Sequence, residues 1–281
     1  CARGMAASLV SAACSPDDPI YLAIVWHQHQ PVYFQDPETG VFARPWVRLH
    51  AAKDYVDMAA ILRDYPDVKA TFNLTPSLLR QLEAIAAGAT DLAWEHTLVP
   101  AEELTDAQKQ FILDRFFDTN RRIVARFPRY QELLDLRDNS DAPLTAYSAD
   151  DFRDLQLLFN LAWTDPDWLA EEPLASLVEK GEGFSEEDKT LVLDEHLRLV
   201  NEVIPLHREL QDAGQIEITT TPFAHPILPL LVNTDLALKA LPEATLPNPP
   251  FIWGQDAVAQ VELGVAYYTE QIGRASCRER V

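Results

Sequence analysis

Short apolar runs that end in polar residues alternate along this chain with stretches of helical periodicity. Residues 21–26 (YLAIVW) are apolar, with β-branched and aromatic content, and give way to His27. That is the pattern of a buried strand whose carboxyl end opens into a loop. From Ala51 to Tyr65 the apolar residues Tyr55, Met58, Ala59 and Leu62 recur at helical spacing, and Pro66 stops the run. Residues 68–74 (VKATFNL) predict a second strand, and Pro76 suits the first position of a helix running through Leu82. A strand–helix–strand–helix opening favours parallel pairing through crossover helices.

The middle, from about residue 101 to 212, reads as mainly helical. Thr105 opens one amphipathic segment, Asp151 to Trp163 forms another, and 185–188 (SEED) opens a long one with a capping-box pattern. So long a helical stretch exceeds one crossover and reads as an insertion over the barrel face. Gly214 stops the last helix, and residues 215–221 (QIEITTT) alternate as a third strand. Residues 236–252 are Pro-rich and loop-like, whereas 256–270 return to helical spacing at Ala257, Val261, Val265 and Tyr268. Three strands that each end in polar or histidine residues predict an α/β protein with its site at the strand carboxyl ends. The barrel is incomplete within these residues.

Composition narrows the function classes. With 47% hydrophobic residues the 281-residue chain can bury a sizeable core, and no apolar stretch reaches the roughly 18 residues that span a bilayer. Forty-four acidic against 23 basic residues give a formal charge of −21. Nucleic-acid binding needs Lys/Arg to neutralise phosphates, and the body of the chain has no basic patch, so no nucleic-acid partner is expected. The three cysteines, Cys1, Cys14 and Cys277, leave the body without a disulfide framework or a Cys-based zinc site.

Both ends read differently from the body. The small apolar run before Cys14, followed by a polar spacer, resembles the tail of a lipoprotein export signal with Cys14 as the lipidated residue, although Ser11 departs from that pattern. The competing reading is a leader (residues 1–18) with no targeting role, so localisation stays open between envelope, export and cytoplasm. Residues 271–281 (QIGRASCRERV) are basic and resemble a translated sequencing-library adapter, which makes them a non-native tail. The body is then residues 19–270.

Candidate chemistry gathers at the strand ends. His27 and His29 stand two apart in HQHQP, so they point the same way and can act on one ligand. A metal pair, which would need a third protein ligand, a pair of sugar-hydroxyl partners and two ordinary surface histidines all fit that motif. Glu217 alternates with Ile216 and Ile218 and so faces away from the core, and His225 lies just past the same strand. Asn73, at the end of the second strand, can hydrogen-bond a sugar hydroxyl or cap the next helix. Trp163 offers either a stacking face or core bulk.

Taken together, HQHQP at the first strand, TFNLTPSLL at 71–79, LFNLAW at 158–163, and GQIEI at 214–218 with HPILP at 225–229 resemble the amino-terminal half of glycoside hydrolase family 57 over about residues 20–270. The resemblance implies a partial (β/α)7 barrel of the glycoside hydrolase/deacetylase type with a large helical insertion. It implies retaining action on α-glucans, no cofactor and no metal, with His27, His29, Glu217 and His225 among the substrate contacts and Asn73 and Trp163 beside them. Retention needs two carboxyl groups about 5–5.5 Å apart. The family's nucleophile and acid/base lie in later motifs, so no catalytic residue is assigned here and the fragment alone is expected to be inactive. The alternatives are a metal-dependent polysaccharide deacetylase or α-mannosidase-like enzyme using His27 and His29, and a non-catalytic carbohydrate-binding protein.

Overall fold

The computed structural model describes residues 21–273. The leader, most of the tail and all three cysteines lie outside the described residues. Strands β1 (Val25–Gln28), β2 (Ala70–Leu74) and β3 (Ile216–Thr219) form one parallel sheet in the order β1-β2-β3. Trp26 pairs with Phe72 and Phe72 with Ile218; one step on, His27 pairs with Asn73 and Asn73 with Thr219. Because side chains alternate, Phe72, Leu74, Ile216 and Ile218 enter the helix-packed core while Thr71, Asn73, Glu217 and Thr219 face the other way. Among the described residues the sheet is an open arc of three strands, and the expected barrel is represented by that arc alone.

β1 departs from its expectation. It begins at Val25 rather than Tyr21, since only residues opposite β2 acquire partners, and it takes in His27 and Gln28. Val25 and Trp26 are 61% and 43% exposed, not buried, because β1 is an edge strand with a single neighbour.

The helical segments follow their local signals. After Pro45 the chain winds through Trp46–His50, a π turn at Ala51–Tyr55 and further turns to Asp64, so this helical stretch starts five residues before the expected Ala51. Pro76 is the first residue of the helix Pro76–Ala86. The helices Ala149–Ala162 and Glu186–Asp212 each open with a full capping box, Ser148 with Asp151 and Ser185 with Asp188. The first cap places Asp151 inside its helix rather than at the start. Gly214, at φ 69°, ends the long helix in the left-handed region that glycine tolerates. Leu228–Val232 and Thr234–Lys239 form short helical turns, the second running into the stretch 236–252 expected as loop, and Gly254–Gln271 is helical. On that last helix Ala257 and Tyr268 are buried, but Val261 and Val265 remain exposed. No helix among the described residues is long and apolar enough to cross a membrane.

Two hydrophobic clusters result. One, with Phe72, Leu74, Leu78, Val203, Ile218 and Tyr268, packs helices against the sheet. The other, with Phe116, Tyr130, Phe152, Leu158 and Phe159, lies within the long insertion between β2 and β3. A buried polar network ties the insertion to the first crossover. Arg48, fully buried, holds Asp91 through Nε at 2.7 Å and Nη2 at 3.2 Å, and donates Nη1 to Asn160 Oδ1 at 2.9 Å. His196 Nδ1 lies 2.8 Å from the same Nη1, and its Nε2 is 2.9 Å from Thr164 Oγ1. Asn160, from LFNLAW, also donates to Thr97 Oγ1 at 3.0 Å. The network is satisfied because each member finds a partner from a different segment, which makes losing one member costly.

Two outcomes follow for stability. Arg48→Met should destabilise the fold by about 3–5 kcal/mol, by leaving Asp91 buried without its cation, as read by urea unfolding. His207 is fully buried, with Nδ1 against Val203 O at 2.7 Å, and burial pushes its pKa down to about 4. The unfolded chain takes up that proton near pH 6.5, so stability is complete above pH 6.5 and is lost as pH falls towards 4, by roughly 3 kcal/mol. In His207→Met that part of the acid loss should vanish, seen as a flatter plot of unfolding free energy against pH.

Candidate functional site

The carboxyl ends of the three strands bring polar groups into one row. His27, Asn73 and Thr219 are successive cross-strand partners on the face turned away from the packed core. The Asn73 amide donates to Thr219 Oγ1 at 3.0 Å, which turns its carbonyl oxygen towards His27 Nδ1 at 2.6 Å. That oxygen only accepts, so Nδ1 carries the proton and Nε2 is the atom left for a ligand. Asn73 therefore does not cap the helix at Pro76. Its N-cap residue is Thr75, and the amide is committed to the sheet row instead.

His29 and His225 complete a cluster of three imidazoles. Ring centroids stand 5.6 Å apart for His27–His29, 5.0 Å for His27–His225 and 4.8 Å for His29–His225. Burial, followed by repulsion from His225 and His27, holds the His29 pKa below its ordinary value and so favours a neutral ring. His225 is the described non-glycine residue with positive φ, at 53°. A residue held in this sparsely populated region costs of order 1–3 kcal/mol and needs surroundings that over-determine it. Those surroundings are the helix Gly254–Gln271 and the helix Pro76–Ala86. Gln260 O accepts from Phe223 N at 2.8 Å, Gln260 Oε1 accepts from Ala224 N at 2.7 Å, and Ser77 N donates to Phe223 O at 3.0 Å. Gly264 lets the helix approach closely: a Cβ there would meet Thr221 O at 2.6 Å.

The other expected contacts stand apart from this cluster. Glu217 pairs with Thr71, two residues before the His27–Asn73–Thr219 row on the same face, and so lies about 7 Å nearer the strand amino ends. There it lines an open cavity of about 410 Å³ with Lys69, Thr71 and Gly214. The sheet thus separates a carboxylate from imidazoles that the sequence reading grouped together. Trp163 ends the helix Ala149–Ala162 and is half-buried, with its indole N–H donating to Asp118 O at 3.2 Å. Its ring lies against Trp46 at 5.5 Å and His50 at 5.3 Å. The route from there to the imidazoles runs through Tyr55, whose ring sits 5.9 Å from His50 and whose hydroxyl meets the Gln30 amide at 3.0 Å.

Sequence reading missed several of these residues. His50 Nδ1 meets Asp54 Oδ2 at 2.6 Å and Lys53 holds the other oxygen at 2.9 Å. Burial opposes ionisation of Asp54, but these hydrogen bonds outweigh it and keep its pKa low. The spacing His50–Asp54 was the available signal, since i,i+4 pairs meet on a helix. Asp57, Asp165 and Asp167 bring carboxylate oxygens within 4.8 Å of one another. Burial, then repulsion from Asp165 and Asp167, raises the Asp57 pKa; burial also raises Asp165, against a hydrogen bond from the Asp167 backbone. Among the described residues this is the group whose atoms converge as cation ligands would, and His27 and His29 are not part of it.

Comparison with known proteins sets this geometry in a family. No curated protein matches the sequence. Among solved structures, a branching enzyme from Thermococcus kodakaraensis aligns at 20% identity and a TM-score of 0.38, over 91% of this chain and 31% of that one. An α-amylase from Thermotoga maritima aligns at 14% identity and 0.38, over 90% of this chain and 33% of that one. A branching enzyme from Pyrococcus horikoshii aligns at 16% identity and 0.38, over 91% and 33% respectively. The chain spans about a third of the length of these solved proteins. The family model for glycosyl hydrolase family 57 matches residues 23–277, which takes in the whole strand arc, the insertion and the imidazole cluster. The chain belongs to glycosyl hydrolase family 57.

Proposed function

We propose that this chain supplies the sugar-holding wall of an enzyme that cleaves or transfers α-glucosidic bonds in α-glucans. The observation that carries the reading is the meeting of His27, His29 and His225 at the carboxyl ends of parallel strands, with Asn73 orienting the first ring. Ligands of parallel α/β folds bind at this end of the strands. A neutral imidazole offers one N–H donor and one nitrogen acceptor, the complement of a sugar hydroxyl, which does both. Burial and mutual repulsion favour that neutral state at His29.

Retaining cleavage needs a second kind of group. One carboxyl attacks the anomeric carbon while another, about 5–5.5 Å away, protonates the leaving oxygen. On the face of the three strands that carries His27, the one carboxylate is Glu217, and it lies a layer away from the imidazoles. Glu217 is accordingly read as a group below the sugar rather than as nucleophile, and no residue of this chain is assigned to bond cleavage. Trp163 and His50 form a half-buried aromatic surface, backed by the buried Tyr55, and would meet a neighbouring glucosyl unit.

Isothermal titration of the 281-residue chain with maltoheptaose at pH 7 should give saturable binding. His27→Ala and His225→Ala should each weaken it roughly tenfold or more, since a sugar hydroxyl left unpaired in the site costs about 1–3 kcal/mol. The same chain should release no chromophore from a chromogenic maltooligosaccharide. Absence of saturable binding would remove the carbohydrate reading, and turnover would overturn the assignment of cleavage to other residues.

A further inference from the structure

The turn that carries His29 away from β1 is held by side chains. Neither Pro31 O nor Tyr33 N has a backbone hydrogen-bond partner among the described residues. Gln81, on the helix Pro76–Ala86 and only 3% exposed, serves both: its Oε1 accepts from Tyr33 N at 3.0 Å and its Nε2 donates to Pro31 O at 2.9 Å. The same Nε2 donates to Ser77 O at 2.8 Å, which locks the amide's own orientation. One helical turn earlier, Ser77 Oγ donates to Gln30 O at 2.8 Å. From the other side, Gln30 Nε2 donates to Tyr55 Oη at 3.0 Å, and its Oε1 accepts from Tyr33 Oη at 2.6 Å. Residues 30–33 are thus gripped between two helices. A side-chain amide takes the place that a neighbouring strand's N–H and C=O would occupy.

The same helix holds the opposite side of the site, because Ser77 N donates to Phe223 O two residues before His225. One helical turn therefore sets both loops whose imidazoles meet at 4.8 Å. We propose that Gln81 is a positioning residue of this site, fixing the Gln30–Tyr33 turn so that His29 stays against His225 and His27. The consequence for sugar binding rests on the reading given under Proposed function, whereas the positioning itself does not.

When the grip is removed, Pro31 O and Tyr33 N must find water, and the turn moves outward to reach it. His29 then gains solvent and leaves the two rings that face it, His27 and His225, so its proton affinity returns towards that of an ordinary histidine. The experiment is a pH titration of the imidazole Cε1–Hε1 resonances in the 281-residue chain, without sugar. In Gln81→Leu the His29 midpoint should rise towards the ordinary histidine value of 6.5. Gln81→Glu keeps the acceptor for Tyr33 N but sets an oxygen against Pro31 O, and should move His29 in the same direction. This milder variant gives the reading if Gln81→Leu does not fold. Leu82→Ala, a core truncation on the same helix, should lower the unfolding midpoint and leave His29 unmoved. An unchanged His29 in a folded Gln81 variant, or an equal shift in Leu82→Ala, overturns the proposal. Maltoheptaose titration of the same variants separates the two readings. If the parent chain binds no sugar, the carbohydrate reading fails while the His29 titration still decides the role of Gln81.

Discussion

Parallel register across three short strands controls everything at the mouth of this sheet. Trp26, Phe72 and Ile218 share one row, and the next row, His27, Asn73 and Thr219, necessarily points the other way. A slip of one residue in β2 would send Asn73 into the helix-packed core and turn Phe72 towards the imidazoles. Burial of Phe72 and Leu74 against the long helix makes that slip costly. The hydrophobic face of the sheet thereby sets the polar face, and the tautomer of His27 follows from packing on the other side of β2.

Orientation of the imidazoles depends next on how loops are restrained. Neither His29 nor His225 lies in a strand. His225 adopts a backbone conformation that a β-carbon disfavours, and it is kept there by hydrogen bonds from two helices and by the close approach that Gly264 permits. The turn after His29 is secured by buried side-chain amides. Both loops are therefore extensions of a helical framework and inherit its rigidity, which suits a site that must present several hydrogen-bonding groups to one ligand at fixed spacing.

The insertion gives that framework its depth. Its hydrophobic core is separate from that of the sheet, and the two are joined by the Arg48–Asp91–Asn160–His196 network. Buried ionic groups add little net stability over apolar replacements, but they accept only partners of the right geometry. Here that selectivity sets the first crossover, and with it His50 and Tyr55, against the helix that ends in Trp163. Asn160 lies in the same short motif as Trp163, so one segment supplies both the structural amide and the aromatic ring.

Several of these features were readable in the chain itself. Pro76, the caps at Thr105 and Ser185, and Gly214 marked element boundaries because caps and breakers act through neighbouring backbone groups. The alternation in residues 215–221 placed Ile216 and Ile218 inside and Glu217 outside, since strand geometry has a period of two. The family followed from four short motifs, each weak alone, and the family match confirms it. What the chain could not show was depth along the strands and contact between distant segments. Glu217 and His225 are close in sequence, yet the register separates the first from the imidazoles while a restrained loop returns the second to them. Gln81, Tyr55 and His50 do not announce their place in the site, which depends on partners distant in sequence: Pro31 for Gln81, Gln30 for Tyr55 and Trp163 for His50. Local signals are governed by the few residues around them. Site geometry depends on long-range packing, which only the folded chain decides.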